Sequence, residues 1–108
     1  MKYYIAGPMT GYPQENMAAF DAAALYYRNQ GIDVSNPADL QHQLSNIPLT
    51  EEMRRDIIMY CVYELCQGCT HIVLLPGWEQ SKGAAVEVAV ARFLGLTEII
   101  HAEEPLHV

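Results

Sequence analysis

Residues 71–95, HIVLLPGWEQSKGAAVEVAVARFLG, decide how this chain is read. They open on HIVLL, a nearly continuous apolar run of strand length, as a central parallel strand buried on both faces requires. Pro76 and Gly77 break that run into a polar loop, and from about Ser81 to Leu94 the spacing turns helical, with Gly95 as the stop. The helix carries a puzzle. Glu87 stands among Ala84, Ala85, Val86, Val88, Ala89 and Val90, where a carboxylate either points outward to water, the usual fate of glutamate, or is held in a site. Gly83, Val86 and Val90 lie around it at helical steps, so it borders the apolar stripe. It comes about one and a half turns into the helix, from where its side chain leans back towards the loop.

KYYIA at residues 2–6 reads as a first strand that stops at the turn-forming GPMTG. Met17, Phe20, Ala24 and Tyr27 recur at three- and four-residue steps, which predicts a helix over 15–30 with Gly31 as its cap. IDVSNP gives a short second strand closed by Pro37, and residues 38–49 read as a loop with about one helical turn, a candidate lid. Thr50 followed by Glu51 and Glu52 starts a helix expected to run to about Gln67, and TEIIHA supplies a last strand. Strand and helix alternate throughout, so the expected fold is an α/β three-layer sandwich, flavodoxin- or Rossmann-like, with a mainly parallel sheet of four to five strands. Ligands of such sheets bind beyond the carboxyl ends of the strands, where GPMTG, SNP and PGWEQSKG all fall.

The chain has 108 residues, enough for one domain spanning 1–108 and too few for a second core. Its formal charge of −7 argues against a nucleic-acid polymer as partner, which clustered Lys and Arg would have to hold. A single small phosphate is still allowed, because the free N–H groups at a helix start can bind it. No charged-then-apolar leader and no apolar run of membrane-spanning length occurs, so the expectation is a cytoplasmic protein without a membrane partner. Cys61, Cys66 and Cys69 are an odd set with one Cys-x-x-Cys pair and no further ligands close by, which reads as reduced, mostly buried thiols and no metal site. The four histidines carry no assigned role.

Several residues have two readings. Ser81 caps its helix or offers a hydroxyl to an anion; Gly77 and Gly83 allow close backbone approach; Trp78 stacks on a base or closes the loop; Lys82 is solvated. The glycines of GPMTG suit any tight turn, and no Gly-x-Gly-x-x-Gly is present.

Taken together, YIAGPMTG (residues 4–11) and LLPGWEQSKGAAVEVAVA (residues 74–91) resemble the nucleoside 2-deoxyribosyltransferase-like superfamily, and within it a branch of small phage and bacterial proteins. The resemblance implies that Glu87 is a nucleophile that attacks the anomeric carbon of a deoxyribose, the base leaving before water or another base takes the sugar. That is the two-step carboxylate logic of retaining glycosidases. It implies further that Asp56, in MRRDI, is a second carboxylate serving as acid or base, and that Tyr4, Gly7 and Met9 lie along the sugar and base. Gly77 and Trp78 are counted as candidates for binding the substrate. Ser81 stands where the transferases hold a free 5′-hydroxyl with an aspartate and where the related nucleotide N-hydrolases have serine. Ser81 with Gly83 therefore points to a nucleoside 5′-monophosphate. The implied protein is an N-glycosidic-bond hydrolase or transferase with no cofactor, assembled as a homodimer or higher homo-oligomer. Its rivals are a catalytically inactive nucleotide-binding module, sequestering or sensing, and a structural α/β domain.

Overall fold

Four strands, β1 (Lys2–Ala6), β2 (Asp33–Ser35), β3 (His71–Leu74) and β4 (Thr97–Ile100), form one sheet in the order β2-β1-β3-β4 in a computed structural model that describes residues 1–44 and 47–102. Every pairing is parallel, with Tyr4 opposite Ser35 on one side and Ile72 on the other. The chain steps from β1 outward to β2, then crosses back to β3, so the order reverses between β1 and β3. In open α/β sheets this is the point at which the strand ends part to leave a crevice.

Helices α1 (Met17–Arg28), α3 (Glu51–Leu65) and α4 (Lys82–Leu94) cover the sheet, and a short α2 (Ala38–Gln43) follows β2. The two-residue period of β1 divides the core between them. Tyr3 and Ile5 pack with Phe20, Ala24 and Tyr27 of α1, whereas Tyr4 and Ala6 pack with Cys61 and Leu65 of α3 and Val88 and Ala91 of α4. The result is the expected three-layer α/β sandwich. Ile5, Phe20, Leu65, Ile72 and Val73 are fully buried, and each such side chain stabilises the fold by roughly 1.5–3 kcal/mol.

The ends of the elements follow the local chemistry. Thr50 accepts the Met53 N–H at 3.1 Å to start α3, and Gly95 ends α4 at φ +76°. Two expectations need correction. Residues 38–49 hold more than a single turn, because Asn36 Oδ1 accepts the Ala38 N–H at 3.1 Å and lets the six-residue α2 begin directly after Pro37. Ser45 and Asn46 of the candidate lid lie outside the described residues. Helix α1 starts at Met17 instead of Glu15, because Gln14, Glu15 and Asn16 take left-handed φ values of 51°, 55° and 59°.

Candidate active site

Ser81 caps α4, its hydroxyl oxygen accepting the Ala84 N–H at 3.2 Å. Counted from that cap, Ala84, Glu87, Val88 and Ala91 fall on the face turned to the sheet, so the carboxyl of Glu87 enters an apolar interior and is only 6% exposed. Tyr4 meets it there. The tyrosine points to the α3/α4 side of β1 and donates its hydroxyl to Glu87 Oε2. The thiol of Cys61, from the inner face of α3, touches the same tyrosine hydroxyl and feels the charge of Glu87.

Burial sets the charges of this group. It pushes the Glu87 carboxyl from 4.5 up to about 7, while the hydrogen bond from Tyr4, which favours the ionised form, pulls the other way. Tyr4 is held well above the ordinary phenol range, first by burial and next by the charge of Glu87, so it remains a donor. Cys61 rises to about 11, chiefly by burial with the charge of Glu87 adding to it, which leaves a protonated and unreactive thiol.

A cleft of about 360 Å³ opens beside the group, with Tyr4 and Cys61 in its wall. It lies over β1 and β2 between α2 and α3, where the edge position of β2 leaves the sheet thinly covered. Lys2, Asp33, Asp39, Tyr60 and Glu64 also line it, so three carboxylates face one ammonium group. A roomier cleft, of about 600 Å³, lies on the α1 side and is walled by Tyr12, Leu25, Tyr26, Leu75, Gly77 and His101, remote from Glu87.

The loops of the two sequence motifs come together at the carboxyl edge. A Cβ at Gly7 would stand 2.8 Å from Leu75 Cβ, and one at Gly77, whose φ is +87°, would stand 2.8 Å from Tyr12 Oη and 3.3 Å from Pro8 Cγ. Both glycines are there for this approach. Gly83 lies against α3, where an added Cβ would sit 3.7 Å from Ile58 Cδ1. Trp78 packs into the core on the α3/α4 side with the Arg92 guanidinium 5.8 Å from its ring centre, which is the loop-closing position. Met9 packs on the α1 side of the sheet, opposite to Glu87. Asp56 is exposed on α3 and is not part of the cleft wall.

Sequence reasoning passed over Cys61, Tyr60 and Glu64. Their three- and four-residue spacing on α3 marks one helix face, but which face turns to the cleft depends on packing with α4. Among the described residues no three His, Cys, Asp or Glu side chains are gathered as metal ligands, and no helix is long and apolar enough to cross a membrane. No curated protein matches the chain. Residues 1–100 match the domain of unknown function DUF4406, and the chain belongs to that family.

Proposed function

We propose that this DUF4406 domain is a nucleoside 2-deoxyribosyltransferase-like enzyme that cleaves the N-glycosidic bond of a (deoxy)nucleoside 5′-monophosphate, with Glu87 as nucleophile. The observation that carries the reading is a carboxyl turned inward from α4, hydrogen-bonded by Tyr4, next to a cleft in whose wall that tyrosine stands. Among the described residues Glu87 has no ion-pair partner, and a carboxyl buried in this way is costly to keep and calls for a reason beyond folding.

In the proposed reaction a Glu87 oxygen attacks the anomeric carbon. The C1′–N bond breaks, and the base departs with the electron pair and gains a proton. Water or a second base then attacks C1′ and frees the carboxylate. Tyr4 holds the attacking carboxylate in place and favours its ionised form. Asp56 is assigned the acid/base role, and Ser81 and Gly83 the phosphate end, as the resemblance implies. A homodimer or larger homo-oligomer is part of the same proposal, as the resemblance implies.

The test is incubation with a panel of 2′-deoxynucleoside and nucleoside 5′-monophosphates, followed by chromatography for free base. Release by the wild type and its loss in Glu87→Gln are expected. No release from any member, alongside turnover by an authentic N-glycosidase control, overturns the proposal. A nucleotide-binding module without turnover is the second reading, favoured by the exposure of Asp56 away from the buried carboxyl. Its signature is nucleotide binding that survives Glu87→Gln with no base released.

A further inference from the structure

We infer that Arg54 binds the 5′-phosphate of the substrate and so selects nucleotides over nucleosides; the inference rests on the nucleotide reading above. Arg54 reaches from the first turns of α3 to the loop after β1. Its Nη1 donates to Thr10 Oγ1 at 3.1 Å, and Nη2 stands 3.7 Å from Glu15 Oε1, too far for a hydrogen bond. Among the described residues the guanidinium therefore spends one of its five donors, on a neutral hydroxyl. It is tethered yet largely available, and its planar fork suits a phosphate.

Its position relative to Glu87 follows from the topology. Because all four strands are parallel, α3 and α4 both return from the carboxyl edge of the sheet to its amino edge. Ile58 of α3 lies beside Gly83 of α4. Arg54 comes one turn before Ile58 and Glu87 one turn after Gly83. The two residues are thus offset by about 12 Å along the helices, at 1.5 Å per residue, with Arg54 nearer the carboxyl edge. That interval suits a sugar phosphate together with the reach of two side chains.

The charges choose the same orientation. Asp33, Asp39 and Glu64 against Lys2 make the cleft beside Tyr4 a poor place for a dianion. A substrate with its sugar at Glu87 is steered to put the phosphate at Arg54, where it takes the place of the loosely held Glu15, and to leave the base towards the cleft.

The test uses the full chain as wild type, Arg54→Gln and Arg54→Lys, each titrated calorimetrically with the four 2′-deoxynucleoside 5′-monophosphates and their parent nucleosides, and assayed for base release. Circular dichroism and the unfolding midpoint check that the variants fold; Arg54 is exposed, so they are expected to. The expected result is that Arg54→Gln weakens monophosphate binding about 10- to 100-fold and leaves nucleoside binding unchanged, with Arg54→Lys recovering part of the loss. An equal effect on both ligands, or none on either, overturns the inference. Base release whose phosphate preference survives Arg54→Gln sinks the inference and spares the proposed reaction. Arg54-dependent monophosphate binding without base release does the reverse. Wild-type protein that binds neither ligand overturns both.

Discussion

Replacing Glu87 with glutamine removes the buried carboxyl of α4 while keeping its shape and its ability to accept from Tyr4. The consequence is a change in how stability depends on pH. In the unfolded chain the carboxyl titrates near 4.5, whereas burial lifts it to about 7 in the fold. Below pH 4.5 it is protonated in both states and costs the fold nothing. As pH rises from there the unfolded state gives up the proton and the folded state keeps it, so wild-type stability falls until the folded carboxyl also ionises near 7. At roughly 1.4 kcal/mol per pKa unit, the separation between 4.5 and about 7 amounts to about 3 kcal/mol. Glutamine has no such dependence, and all other titrating groups are common to both proteins. Urea unfolding of wild type and Glu87→Gln between pH 4.5 and 8.5 should therefore show a gap in favour of the variant that widens up to about pH 7 and is level above it. A gap that stays constant across the range, as a solvated glutamate would produce, refutes the buried carboxyl and the site built on it.

Three further outcomes follow from the same geometry. Because the nucleophile must be ionised, kcat/KM for base release should fall tenfold per unit below about pH 7, and Tyr4→Phe, which removes the bond favouring the carboxylate, should move that limb roughly 1–2 units higher; a pH–rate profile unmoved by Tyr4→Phe would contradict this. Gly7→Ala drives a methyl to 2.8 Å from Leu75 Cβ and should destabilise the fold by about 1–3 kcal/mol in denaturant unfolding; a midpoint equal to wild type would show that the two loops can part freely. Asp56→Asn, at an exposed position, should leave stability within about 0.5 kcal/mol and, if Asp56 is the acid/base, slow base release at least tenfold; a rate within about twofold of wild type removes it from that role.

Much of the architecture was legible because it rests on patterns the backbone enforces. KYYIA became β1 over its full length, HIVLL became β3 in all but its last residue, and α4 is capped by Ser81 at its start and Gly95 at its end. The inward turn of Glu87 was one of two readings, and the phase of α4 from its Ser81 cap decided between them. Other features depend on contacts that no local pattern encodes. Nothing in the pair Tyr3–Tyr4 says which ring faces α4; the sheet register decides, sending Tyr3 against Tyr27 and His71 and Tyr4 to Glu87. Cys61 reads as filler until the rotation of α3 is known. The left-handed turn at Gln14–Asn16 was unreadable because none of its residues is glycine, and a tether of Asn16 Nδ2 to Pro8 O at 2.9 Å accompanies it. Residues 36–38 of SNPADL, by contrast, did carry a readable helix start, an asparagine that bonds ahead to Ala38 across a proline.

The seclusion of Cys61 gives the molecule an internal reporter. Cys66 lies open on the surface and Cys69 is half-buried, whereas Cys61 is buried in the wall of the cleft and held protonated. A thiol reagent added to native protein will thus consume Cys66 first, Cys69 next and Cys61 last, by way of the cleft. The slowest phase of such a titration reports access to the cleft wall beside Tyr4, and a ligand lodged in the cleft should lengthen it without any need to know what reaction follows.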